Sequence, residues 1–337
     1  MKQLLEAIQT VLESGKTAML CTIVSRRGTT PRGVGTAMAV DENGGQTGTV
    51  GGGEAEFLVK QDALALLLEK SSALRSFAIH PGEGEHCAAS GGEIDVLFRL
   101  FAGEEGLRLS ARAIALIDHE EGYLVCAIDH ETAGETEVVP AWAAKDDPAL
   151  RPYLAKAPLL TEEEPKRFVE PLFPPPRVIV LGGGHVAKAL VPVLSQLGLR
   201  VWVVEDRDTL CDPSRFPLAE RVLSEVQERI LDELELTGRD AVISLVRGRG
   251  TDFSILDAAL RTKAGYIGAI GSHSHAKKMR DQLLSRGFSK EQIARIHSPV
   301  GLDIGAESPE EIAVSIAAEW IACRSGKEKA VRTDSAD

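Results

Sequence analysis

The sequence predicts two folded units of the mixed α/β class. An amino-terminal α+β unit is followed by a carboxyl-terminal Rossmann-like unit built on a doubly wound parallel sheet. Three observations predict this. The length of 337 residues corresponds to about two domains at roughly 150 residues each. The stretch at 161–176, TEEEPKRFVEPLFPPP, ends an acidic run with three consecutive prolines, a composition suited to a stiff extended connector. After it, short apolar strands alternate with helical stretches, whereas before it helices mix with hairpins. The expected organisation is therefore an α+β unit at 1–160, a Pro-rich linker at 161–176, a Rossmann-like unit at 177–325 and a charged, frayed tail at 326–337.

The elements follow in chain order. Leu4, Leu5, Ile8, Val11 and Leu12 have helical spacing, and Gly15 supplies a stop. Residues 17–25 read as a buried strand. Asn43-Gly44 is a tight-turn signal between short strands at 36–40 and 46–50. Residues 54–70 read as a helix, 94–101 as a strand, 107–116 as a helix and 123–128 as a strand. In the second half, 177–181, 200–205, 240–246 and 265–270 are apolar strands between helical stretches. Ser308, Pro309 and Glu311 form a capping-box signature that starts a last helix and leaves Gly301 to Gly305 unexplained.

Composition excludes several function classes. No apolar run reaches the roughly 18 residues of a membrane span, since His185, Lys188 and Arg200 interrupt the longest stretches. Glu6 breaks the amino end before the apolar core of a signal peptide could form, so a cytoplasmic location is expected. A net charge of -12 argues against nucleic-acid binding, which rests on phosphate neutralisation. It leaves open a small anionic ligand, which backbone amides can hold. Cys21, Cys87, Cys126, Cys211 and Cys323 are scattered, odd in number and without a CxxC pair, so neither a disulfide framework nor a metal site is expected.

The 32 glycines cluster where strands end. In VIVLGGGHVAKAL, Gly182, Gly184 and Ala187 satisfy the G-x-G-x-x-G/A spacing after a strand and at the start of a helix. There the first glycine permits the tight turn, the second lets backbone approach a pyrophosphate, and the helix amino terminus offers amides to an anion. Glu205-Asp206 closes the next strand, the place for a carboxylate that accepts a ribose diol, with Glu205 the first choice. Of the histidines His185, His273, His275 and His297, none lies in a pattern that specifies hydride transfer. In the first half, RRGTTPRGVG at 26–35 and GTVGGGEAE at 48–56 flank the hairpin. They gather three arginines and many unhindered amides, either a cradle for a phosphate or pterin phosphate or plain turn chemistry with a solvated arginine face. Glu54 and Glu56 fall in a first helical turn, where carboxylates complement the helix dipole. Cys87, beside His86 in a glycine-bounded loop, is a candidate reactive thiol or a small buried hydrophobe. Cys21, Cys126 and Cys323 read as core.

Taken together, GTTPRGVG at 28–35, GTVGGGEAE at 48–56, SGGEIDVLF at 90–98, LGGGHVAKAL, VVEDRDTLCDPSRFP, YIGAIGS and HSPVGLDIGAESPEEIAVSIAAEW resemble the XdhC/CoxI family of xanthine dehydrogenase accessory proteins over nearly the whole chain. The resemblance implies a cytoplasmic homodimeric helper that binds molybdenum cofactor (molybdopterin). It would assist sulfuration of the cofactor by a cysteine desulfurase and pass it to a molybdenum hydroxylase of the xanthine dehydrogenase type. On this reading the cofactor-binding candidates are Gly28, Pro31, Arg32, Gly35, Gly51, Gly52, Gly53 and Glu54, with Gly182, Gly184, His185, Glu205 and Asp206 in the second unit. Cys87 is the candidate thiol. The chain departs from the family pattern where Glu54 and Ser90 replace cysteines, where Arg249 replaces a histidine and where His275 replaces a basic residue. The alternative function is an NAD(P)-binding oxidoreductase that uses the second unit.

Overall fold

A computed structural model describes residues 1–79, 91–129, 132–148, 150–151, 157–162, 164, 166–246 and 251–326. The chain divides into two compact units, Met1–Pro174 and Pro175–Asp337.

The first unit runs α1 (Lys2–Glu13), β1 (Ala18–Gly28), β2 (Ala37–Asp41), β3 (Gln46–Gly48), α2 (Gly53–Glu69), β4 (Ala73–Ile79), β5 (Gly92–Phe101), α3 (Gly103–His119), β6 (Gly122–Asp129), β7 (Thr132–Pro140), α4 (Ala141–Asp146), β8 (Leu159–Leu160) and β9 (Lys166–Leu172). Its sheet has nine strands in the order β3-β2-β1-β5-β4-β7-β6-β9-β8. β1 is buried along seven successive residues because helices cover both of its faces. Ala18 and Leu20 pack toward α1 and α3, and Met19, Cys21 and Ile23 pack against Val59, Ala63, Leu66 and Leu67 of α2. The β2–β3 turn is tied by Asp41, whose Oδ1 accepts from the amides of Asn43 (2.7 Å) and Gly45 (2.8 Å).

The sheet curls until β8 lies against β1, so a third cluster forms inside the curl from Val24, Leu97, Cys126, Ile128 and Phe168. A buried ion pair spans that interior. Arg99 of β5 donates through Nη2 to Glu170 Oε2 of β9 and to Thr22 Oγ1 of β1, each at 2.8 Å. The guanidinium stands 6.0 Å from the Phe168 ring. Burial pushes the thiols of Cys21 and Cys126 up from their ordinary range while the nearby Arg99 charge opposes it, consistent with inert core cysteines.

The second unit runs β10 (Arg177–Leu181), α5 (His185–Gln196), β11 (Arg200–Glu205), β12 (Arg221–Ser224), α6 (Gln227–Glu233), β13 (Ala241–Ser244), α7 (Thr251–Arg261), β14 (Tyr266–Ala269), α8 (His273–Ser285), α9 (Lys290–Ile293), β15 (Ile296–His297) and α10 (Pro309–Arg324). All six strands are parallel, in the order β12-β11-β10-β13-β14-β15. Alternate residues of β10 enter opposite cores. Ile179 and Leu181 join the α7 and α8 side, and Val178 and Val180 join the α5 and α10 side. This is the doubly wound Rossmann arrangement, whose order reverses beside β10. No helix among the described residues is long and apolar enough to cross a membrane.

Three expectations need correction or limits. The stretch at 161–176 is not a free connector, since Lys166–Leu172 pairs along its length with β6. Its alternation of Phe168, Glu170 and Leu172 is a strand pattern that the flanking acidic and proline residues obscured. Cys323 is half-buried and packs at the edge of the α5 and α10 core. Cys87, Ser90, Arg249 and the tail beyond Gly326 lie outside the described residues.

Removing one member of a buried ion pair leaves the other uncompensated and costs about 3–5 kcal/mol. Glu170→Ala should therefore lower stability by about that amount in urea unfolding, whereas Arg99→Met combined with Glu170→Leu should recover most of it. A single-variant loss under about 1 kcal/mol would show that the pair does not hold the curl together.

Candidate functional site

The sequence brings two glycine-rich loops together at one end of the first unit. β1 carries Arg26, Arg27 and Gly28 into the loop that ends at Gly35. The segment from Thr49 to Gly52 leads into α2. Gly51, Gly52 and Gly53 adopt φ of 138°, 78° and 66°, a left-handed run that side chains would strain. The loops touch: a Cβ on Gly51 would stand 2.8 Å from Pro31 Cγ and 3.6 Å from Arg32 Cγ. Gly91 also abuts the neighbourhood, its carbonyl 2.7 Å from where a Gly28 Cβ would lie.

One carboxylate holds the second loop in shape. Glu56 Oε2 accepts from the amides of Val50 (2.9 Å) and Gly52 (3.1 Å) and from the Thr49 hydroxyl. Its Oε1 accepts from Gln46 Nε2 at 3.0 Å. Burial alone would raise this carboxyl, but the donors outweigh it and hold it at about 2. Val50 and Gly52 amides are thus already used, and no side chain caps α2, which leaves its first-turn amides as donors toward a ligand. Of the arginines, Arg27 pairs with Glu93 at 3.0 Å and reaches Asp95 at 3.8 Å. Arg26 lies 3.5 Å from Thr30 Oγ1, and Arg32 is exposed at the Gly51 contact. Glu54 is exposed in the first turn of α2.

The second unit repeats the device. Gly182 turns the chain at φ 100°, its amide donating to Val204 O at 2.8 Å. The Gly183 amide donates to Glu205 Oε2 at 2.6 Å. Glu205 also accepts from Arg207 through its amide (3.1 Å), Nε (2.7 Å) and Nη2 (2.8 Å). Burial would raise the Glu205 carboxyl, but these donors hold it at about 2. Arg215 Nη2 donates to Gly183 O at 3.2 Å and closes the loop from the other side. A cavity of about 640 Å³ opens in front, lined by Gly184, His185, Asp206, Arg207, Gln227 and Glu307 among others. It lies at the carboxyl ends of β10, β11 and β13, the switch-point position of this fold.

The structure therefore joins Pro31, Arg32 and Gly51 in one neighbourhood, with Gly52, Gly53 and Glu54 at the adjoining helix start, while Gly28 closes against Gly91 and Gly92 at the end of β1. Gly35 sits at the far end of its loop against Pro158. Gly184, His185 and Asp206 line the second unit's cavity. Glu205 is corrected: it is fully buried and its oxygens serve the glycine loop and Arg207, so it is not open to a ribose diol in this conformation. The capping box of Ser308 and Glu311 is formed. Sequence reasoning missed the clamping role of Glu56, and it missed Arg207 and Arg215. The Glu205/Arg207 spacing of two residues at a strand end was the available signal. Among the described residues, no group of three or more His, Cys, Asp or Glu side chains is placed to hold a metal ion.

Residues 11–78 match the XdhC and CoxI family, and residues 178–320 match the XdhC Rossmann domain. Similar proteins include a probable xanthine dehydrogenase subunit of Bacillus subtilis, 34% identical over 47% of this chain and 46% of that one. The molybdenum cofactor insertion chaperone PaoD of Escherichia coli is 32% identical over 26% of this chain and 28% of its own length. The matches span less than half the length of these curated relatives. A crystal structure of a xanthine dehydrogenase from Bacillus halodurans shares the fold with a TM-score of 0.75 at 23% identity, covering 98% of both chains.

The depressed Glu56 carboxyl fixes a pH dependence. Its folded value of about 2 lies below the ordinary 4.5, so its contribution is full above about pH 5 and is lost as pH falls toward 2. Wild type should unfold at a higher temperature than Glu56→Gln at neutral pH, and the gap should narrow below about pH 4.5 and close only as pH falls through about 2. A gap that persists unchanged in acid would contradict the clamp.

Proposed function

Because the chain belongs to the XdhC/CoxI family, we propose that it is an accessory protein that binds molybdenum cofactor and delivers it to a molybdenum hydroxylase of the xanthine dehydrogenase type. The observation that carries this reading is the meeting of the two glycine loops at the uncapped start of α2. The names of the relatives, a molybdenum cofactor insertion chaperone and a probable xanthine dehydrogenase subunit, support the cargo and the client.

The cargo is anionic through its phosphate, and its pterin ring is flat and rich in hydrogen-bonding groups. First-turn amides of α2 present partial positive charge and donors without a mobile side chain. Arg32 adds a planar cation suited to phosphate, and Pro31, Gly51, Gly52 and Gly53 keep the backbone close to the ligand, with Gly28 and Gly35 shaping the two ends of the first loop. This donor set fits an anionic group in a chain of net charge -12. Glu54 places a carboxylate beside the same helix start, so the phosphate is directed to the Arg32 side. Handover follows from the same physics, since an exposed cradle of amides can be relieved of its cargo when a client covers it. Sulfuration by a cysteine desulfurase, a homodimeric state and a cytoplasmic location belong to the same proposal.

The second unit's cavity supports a further ligand of nucleotide class through Gly184, His185 and Asp206, with Gly182 making the turn that leads to them. Oxidoreductase chemistry with NAD(P) is the less favoured reading, because Glu205 is engaged within the protein.

Protein purified from a molybdenum-replete host should carry molybdenum and a pterin with its characteristic fluorescence after oxidation. Gly51→Val drives a branched side chain into Pro31 and should reduce the bound molybdenum by about tenfold or more, equivalent to roughly 1.4 kcal/mol of binding. Glu54→Gln should tighten binding by removing a like charge. Wild type free of pterin, or a Gly51→Val protein that binds as well as wild type, would sink the proposal.

A further inference from the structure

The α10 end of the second unit holds a side-chain cluster that the cofactor reading does not use. Cys323, half-buried in the last turn of α10, places its Sγ 3.9 Å from both ring nitrogens of His297. His297 is buried on β15 and stacks on Tyr266 with ring centroids 4.5 Å apart. Its Nδ1 lies 3.4 Å from Glu319 Oε1. Glu319 Oε2 in turn accepts from the Tyr266 hydroxyl (2.7 Å) and the Gly301 amide (2.9 Å). Thiol, imidazole and orienting carboxylate stand in the order that activates a nucleophile.

We propose that Cys323 is a reactive thiol that exchanges with small disulfides, with His297 as its base and Glu319 as the positioning residue for that base. In the exchange His297 takes the thiol proton, and the Cys323 thiolate attacks one sulfur of the small disulfide. A bond forms between Cys323 Sγ and that sulfur, and the original sulfur–sulfur bond breaks. The leaving thiolate takes up the proton, so one thiol is consumed and one released, the number of disulfide bonds is unchanged, and Cys323 ends as a mixed disulfide.

Two physical contrasts support the assignment. Burial would raise the Glu319 carboxyl, but His297, Gly301 and Tyr266 hold it at about 2, so the group behind the imidazole is an ionised carboxylate. Cys211 is also half-buried, yet burial raises its thiol and the carboxylates of Glu205, Asp208 and Asp212 raise it further. The C-terminal end of α10 opposes a thiolate, so the imidazole is the group that must favour it. The cluster also explains the segment around Gly301. Glu319 holds the Gly301 amide, and Ser315 Oγ donates to Leu302 O at 2.7 Å, so α10 clamps the chain after β15.

The test uses the full chain with oxidised glutathione as probe, followed by peptide mass mapping of each cysteine over time. At about pH 7.5, Cys323 should form the mixed disulfide several-fold faster than Cys211, whose thiol is raised by burial and by the carboxylates around it. His297→Gln should bring Cys323 down to the Cys211 rate. Glu319→Gln should slow Cys323 and leave Cys211 unchanged, whereas mere loosening of the fold would expose and speed both. The wild-type ratio stands by itself should a variant misfold. Equal rates in wild type, or a folded His297→Gln protein that keeps the fast rate, overturn the proposal.

Discussion

Each unit depends on a buried or half-buried carboxylate that captures the amides of a glycine-rich loop. Glu56 gathers Val50, Gly52 and Thr49, and Glu205 gathers Gly183 and Arg207. Glycine permits these turns but also leaves the loop with the largest conformational entropy to lose. A carboxylate that accepts several hydrogen bonds offsets that loss, with charge-assisted bonds about twice as strong as neutral ones. The result is a preorganised backbone surface, which is what weak donors need if they are to hold a ligand.

The clamps also decide which amides remain. Val50, Gly52 and Gly183 are engaged inside the protein, while the first turns of α2 and α5 carry no side-chain cap. A chain with a strong negative charge can therefore present a local positive field from peptide dipoles, supplemented at one loop by Arg32. The scaffolds beneath have different logic. In the first unit a curled antiparallel sheet is braced by Arg99 and Glu170 across its interior. In the second, a parallel sheet covered on both faces delivers its loops to the switch point beside β10.

Much of this was legible in the residues, for identifiable reasons. The strands of the second unit were readable because burial on both faces makes near-continuous apolar runs such as Val178 to Leu181. The glycine loops were readable because their spacing and the flanking strand and helix signals agree. β4 and β7 were not, since polar residues such as Arg75 and Glu137 interrupt the pattern, and β9 was not because the buried Glu170 and its acidic and proline flanks hide its apolar face. β12 is an edge strand with no fully buried residue, so it lacks the apolar run of its neighbours, and β15, two residues long, is shorter than any periodicity can register. The use of Glu205 was misread because a strand-end carboxylate has the same spacing whether it serves a ribose or its own loop. The partnership of Arg99 with Glu170 is separated by 71 positions and exists only once the sheet has curled. The His297–Glu319–Cys323 cluster likewise depends on α10 returning to β15.

The central claim is that the joined glycine loops of the first unit, rather than the Rossmann cavity, hold the cofactor. Amide hydrogen exchange of the full chain with and without molybdopterin tests it most directly. The account predicts slowed exchange at the first turn of α2 and in the loop from Thr29 to Gly35, with the amides of His185 to Ala187 unchanged. Protection confined to the segment from Gly182 to Ala187, with none at the start of α2, would contradict it.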